Sequence, residues 1–264
     1  MYAGDFATAA KESQAVLDKD PAYFRAYVPR AISSMDRSLT DVASSYRAMA
    51  PISPQASSIA QMGLGDLALY QGEHAQAVAI LRPAIDADLS AKNTAGAAAK
   101  YMVLAEAYEG MGRRAEALTA VRSGLALTTR SSVLLAGGRL LIAAGRIEDA
   151  RPIESELAKR LDPHSRVYGK ILQAELYMAD ERTADAVDSL LASQKVADMW
   201  LTHVLLGQNY IRAKSFPEAL AQFEEAQRRR GEATAIFLDD VPSIRYLAPL
   251  AGWLRQARTG MGLK

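Results

Sequence analysis

The chain has 264 residues, a net charge of +1 with its histidines neutral, half of its residues apolar, 7% aromatic, and no cysteine. Lack of cysteine excludes disulfide staples, thiolate nucleophiles and cysteine-ligated metals. Balanced charge removes any global case for nucleic acid, and no apolar run reaches the roughly 20 residues that span a bilayer. Abundant alanine beside sparse glycine and proline predicts an all-α protein.

In chain order, residues 1–21 read as one amphipathic helix after a Gly4-Asp5-Phe6 turn, closing at Asp20-Pro21. The opening segment, Met1 to Phe6, lacks the basic and apolar regions of a signal peptide, so the cytoplasm is the expected compartment. Residues 22–54 form the weakest unit, with Pro29 inside a predicted helix and Pro51-Ile52-Ser53-Pro54 at its end. Residues 55–229 carry the clearest helix pairs, Pro83 again falling inside a helix. Asp88 to Thr94 lengthen one connection. Residues 230–242 form an inserted loop whose Ile236-Phe237-Leu238 is too apolar for a free linker, so it is expected to fold back over the last helix pair. Asp239-Asp240 is read as a cap cluster ahead of Pro242 and of a terminal helix over 243–260.

A period organises these elements. Turns begin at Gly4, Ser38, Gly72, Gly112, Gly145, Glu181 and Lys214, at intervals of about 34, 34, 40, 33, 36 and 33 residues. Within the units the step from first-helix position to second-helix alanine is constant at nine: Ala68 to Ala77, Tyr108 to Ala117, Leu141 to Ala150, Tyr177 to Ala186 and Tyr210 to Ala219. The small residues Gly65, Ala105, Gly138, Ala174 and Gly207 stand where two backbones must approach, and Leu64, Leu104, Leu206 and Phe223 fill the space between units.

The pattern His203, Leu206-Gly207, Tyr210, Ala219, Phe223 resembles the tetratricopeptide repeat (TPR) family. Degenerate copies follow it across nearly the whole chain. The resemblance implies a right-handed superhelical solenoid of antiparallel helix pairs, about seven repeats in all. Both ends fall in mid-repeat, so the chain is expected to be a piece of a longer protein. The tail around Arg245-Tyr246-Leu247 also resembles the C-terminal repeat region of some bacterial multidomain signalling proteins.

No residues assemble a catalytic site. His74, His164 and His203 lie on different repeats with no second ligand at metal spacing, so neither enzyme activity, metal nor cofactor is expected. His203 reads as a packed core residue, and Arg228-Arg229-Arg230 as charges favourable at a helix C-terminus.

The family resemblance places a concave face on the first helices. Its positions here are Met62, Met102, Leu135, Ile171 and Val204 in one row, Asp66, Glu106, Arg139, Glu175 and Gln208 in the next, and Leu69, Glu109, Met178 and Ile211 in a third. Such a face is apolar with acidic points. It suits an amphipathic or partly basic protein segment better than an acidic C-terminus. The expected function is a non-enzymatic protein-protein interaction scaffold holding a partner peptide or helix in this groove. A regulatory repeat domain of a larger bacterial signalling enzyme or transcription regulator, and self-association into a homodimer, are the alternatives. Neither nucleic acid nor membrane insertion is expected.

Overall fold

The computed structural model describes Met1, residues 3–233 and residues 244–263. The chain divides into two units, Met1–Thr128 with Gly231–Ala248, and Thr129–Arg230 with Pro249–Lys264. The first holds α1 (Phe6–Lys19), α2 (Tyr27–Ser33), α3 (Leu39–Met49), α4 (Pro54–Tyr70), α5 (His74–Ser90), α6 (Thr94–Gly110) and α7 (Arg114–Leu127). The second holds α8 (Ser131–Ala143), α9 (Ile147–Lys159), α10 (Pro163–Ala179), α11 (Thr183–Gln194), α12 (Trp200–Arg212) and α13 (Phe216–Arg228). A short α14 (Arg230–Ala233) begins at the boundary, a 3₁₀ turn covers Arg245–Leu247, and α15 (Leu250–Gly260) packs on α13 and α12 in the second unit. Among the described residues no strand forms. Within each unit, neighbouring helices joined by tight turns pack as antiparallel pairs, a tetratricopeptide-like arrangement.

The turns share one geometry. Gly72, Gly112 and Gly145 end first helices at φ of 76°, 72° and 74°, the left-handed region where only glycine escapes a Cβ clash. The following residue donates back across the turn: Glu73 to Ala68, Arg113 to Tyr108, and Arg146 to Leu141, at 2.8, 2.9 and 2.8 Å. Glu181 and Lys214 take the same conformation without being glycine, at φ of 61° and 59°. Their turns close identically, Arg182 N–H to Tyr177 and Ser215 N–H to Tyr210. Ser38 differs: its backbone is extended and its hydroxyl accepts the Asp41 N–H at 3.2 Å, capping α3.

The lengthened connection at 88–94 is helix rather than loop. It extends α5 to Ser90, turns at Lys92 (φ 58°), and starts α6 on an Asn93 cap that accepts the Gly96 N–H. Pro29 falls in the first turn of α2, where its missing N–H is harmless. Pro83 lies inside α5, where it and Ala79, whose carbonyl loses its helical partner, are both exposed.

Close approach accounts for the small residues. A Cβ on Gly65 would meet Leu81 at 2.7 Å, on Gly138 Leu172 at 2.6 Å, and on Gly207 Phe223 at 2.5 Å. Ala77, Ala150, Ala186 and Ala219 are fully buried on the facing helices. One buried polar network interrupts the apolar packing of the first unit. Lys100 Nζ on α6 donates to Asp88 Oδ2 of α5 at 2.5 Å and to Ser58 Oγ of α4 at 2.8 Å. Asn93 donates to the other Asp88 oxygen at 3.1 Å.

Candidate partner-binding face

The rows implied by the resemblance keep helical spacing. On α4, Met62, Asp66 and Leu69 recur at i, i+4 and i+7, and on α6 so do Met102, Glu106 and Glu109. Met62 and Met102 are buried, at 7% and 2% exposed, while Leu69, Glu106 and Glu109 are half-buried. In the second unit, Leu135, Ile171 and Val204 are likewise buried. Arg139, Glu175, Met178, Gln208 and Ile211 are half-buried there, and Arg139 Nε donates to Glu175 Oε1 at 2.7 Å. The innermost apolar row of each unit thus lies beneath its surface, and the second and third rows supply the half-open positions.

Asp66 is different from its neighbours. Its side chain is 3% exposed, which for an isolated carboxylate would be costly. Its charge is answered by residues 178 and 179 positions away in sequence. Asp66 Oδ2 accepts the Ile244 N–H at 2.6 Å, and Oδ1 accepts Arg245 Nη1 at 2.9 Å and the Arg245 N–H at 3.4 Å. Glu106 completes the grip, taking Nε of the same guanidinium at 2.7 Å and Nη2 at 3.0 Å. Tyr246 lays its ring 4.4 Å from the guanidinium carbon, and its hydroxyl donates to Glu106 Oε1 at 3.0 Å. Burial opposes charge on Arg245, but Glu106, Tyr246 and Asp66 outweigh it and hold the guanidinium well above its ordinary pKa. Beneath, Tyr46 is buried, and that burial, with Asp66's charge added, pushes its phenol up.

Ile244 to Leu247 lie against α4 and α6 of the first unit. Ile244, 3% exposed, and Leu247 join the apolar cluster of Ile32, Tyr46 and Ala60. The expectations for Ile236-Phe237-Leu238, Asp239-Asp240, Pro242 and Ser243 lie outside the described residues. Sequence reading missed Arg245 and Tyr246 as site residues. An arginine flanked by Ile244 and Tyr246, after an acidic row had been identified, was the available signal.

His203 occupies the core of the second unit, 6% exposed. Its Nδ1 lies 2.7 Å from Gln222 Oε1, and its Nε2 2.9 Å from Asp198 and 2.7 Å from Arg229 Nη1. Arg228 pairs with Glu225 within α13, and Arg229, at the end of that helix, pairs with Asp198 ahead of α12 at 2.6 Å. Among the described residues no group of three His, Asp or Glu stands within metal-binding reach, and no helix is long and apolar enough to cross a membrane.

No protein-family model and no curated protein matches the chain. Its likenesses are to solved structures. One is the crystal structure of the APC/C hetero-tetramer Cut9-Hcn1, with TM-score 0.52 and 15% identity over 97% of this chain and 46% of that one. The chain therefore spans about half the length of that structure's chain. Two more are pilF of Pseudomonas aeruginosa (TM-score 0.48, 18% identity, 78% of this chain and 90% of that one) and the P58(IPK) TPR domain (TM-score 0.27, 16% identity, 98% and 88%). The first of these likenesses carries the fold.

Proposed function

We propose that the chain is a non-enzymatic protein-interaction scaffold that receives an amphipathic or partly basic protein segment on the inner faces of its first helices. One observation supports the reading: the first helices α4 and α6 already grip a stretch of polypeptide, the chain's own, through Asp66 and Glu106. Main-chain N–H groups as well as a side chain are held, which is the manner of peptide recognition. In the second unit, Glu175 with half-buried Met178 and Ile211 offers acidic and apolar points of the same kind. Methionine suits such a surface because its unbranched side chain refits to different partners. A likeness to a protein of a hetero-tetrameric assembly accords with this role.

An array of short synthetic peptides graded in charge and apolar content, probed with the intact chain, tests the proposal. Basic amphipathic peptides are expected to be retained, acidic ones not. Glu109→Lys and Glu175→Lys should each weaken retention several-fold and flatten its salt dependence. Retention that ignores both reversals would place binding elsewhere on the molecule.

A further inference from the structure

The segment gripped by the first unit also indicates what kind of chain that face selects. Glu106 meets Nε and Nη2 of Arg245 with one oxygen each, the paired geometry that a planar guanidinium supplies and an ammonium cannot. Asp66 takes the remaining Nη1 together with two consecutive main-chain N–H groups, so it reads the arginine and the path of the backbone at once. Tyr246 covers the guanidinium and bonds the same Glu106 oxygen. Ile244 and Leu247 seat in the apolar cluster on either side. The recognised element is thus four consecutive residues, apolar-Arg-Tyr-apolar, on a single 3₁₀ turn.

These four residues arrive 139 and more positions after the carboxylates that hold them. Their contacts are local to the segment, so a separate chain of the same pattern can make every one of them. What the chain's own copy adds is proximity, which raises its effective concentration to that of a tethered competitor.

We propose that Asp66 and Glu106 form an arginine-reading docking site for a partner segment of the pattern apolar-Arg-aromatic-apolar, and that Ile244–Leu247 is a resident competitor which the partner displaces. The proposal rests on the scaffold reading and names the chemistry of its partner.

The probe is a fluorescein-labelled synthetic peptide spanning residues 244–250, titrated with the intact chain and followed by anisotropy. Wild type is expected to bind weakly, because its site is filled. Arg245→Ala, which removes the guanidinium and so weakens the resident segment's hold, should bind the peptide at least about tenfold more tightly. Adding Glu106→Gln to that variant should reverse the gain, and a peptide carrying lysine for arginine should fail to bind. A folded Arg245→Ala that binds no more tightly than wild type, or that accepts the lysine peptide equally, overturns the proposal. Should Arg245→Ala not fold, hydrogen exchange on wild type decides. Excess peptide must speed exchange at the Ile244 and Arg245 amides, and unchanged protection there overturns the displacement. The outcomes separate from those of the peptide array. A peptide that binds while the array shows no basic preference leaves the docking site standing without the wider groove. The reverse result removes the docking site alone.

Discussion

Replacing Lys100 by methionine probes what holds α4, α5 and α6 together. Lys100 is 1% exposed and Asp88 5% at their side chains, so the pair sits out of water. Burial pushes the lysine's pKa down, partly countered by the Asp88 hydrogen bond and charge. Methionine keeps the length of the apolar stem but removes the ammonium, leaving the carboxylate of Asp88 with neutral donors, Ser58 and Asn93. Breaking one side of a buried pair costs about 3–5 kcal/mol. For a unit of this size that lowers the melting temperature by roughly 6–20 °C. Urea unfolding followed by far-ultraviolet circular dichroism measures the loss. Fluorescence from Trp200 and Trp253, both in the second unit, serves as a control on the remainder. Adding Asp88→Leu should bring stability back to within about 1 kcal/mol of wild type, since an apolar replacement for both partners removes the stranded charge. A Lys100→Met loss below about 1 kcal/mol, or an Asp88→Leu change that deepens the loss, would refute the reasoning.

Two further perturbations test the second unit. Gly207→Ala drives a methyl to 2.5 Å from Phe223, a fully buried ring stacked at 5.8 Å on Trp253. It should cost about 1–3 kcal/mol and alter tryptophan emission; an unchanged urea midpoint would show that the ring has room to retreat. Asp162→Ala removes the cap of α10, where Oδ1 accepts the Ser165 N–H at 2.8 Å, at a cost of about 1 kcal/mol at neutral pH. The bonds from Ser165 hold this carboxyl below its usual pKa, so its contribution is present above the unfolded value of about 3.9 and is lost as pH falls through the folded one. The melting-temperature gap between variant and wild type should therefore close in acid, and a gap that persists there would assign the effect to packing.

Local chemistry made the repeat legible. Gly72, Gly112 and Gly145 announce left-handed turns because no other residue takes that backbone freely. Gly65, Gly138 and Gly207 mark close approach because nothing larger fits beneath Leu81, Leu172 and Phe223. Glu181 and Lys214 were weaker signals for the same reason reversed: the surrounding helices force the turn on residues that do not favour it. The stretch 88–94 read as a longer loop because a helix that simply runs on for another turn leaves no punctuation before Lys92. The acidic row containing Asp66 and Glu106 followed from the family resemblance, which marks those first-helix positions. Its occupant did not, since a contact across 178 residues leaves no periodic trace in the chain.

The sequence separation of that contact also has a consequence for synthesis. The helices carrying Asp66 and Glu106 are made well before Arg245, which follows Glu106 by 139 residues. At typical rates of translation this is an interval on the order of ten seconds. Throughout it α4 and α6 can pack on their neighbours, but Asp66 must keep water or a borrowed cation at its side. The first unit is thus completed only after most of the second has been made, when Ile244 to Leu247 emerge to meet the carboxylate of Asp66.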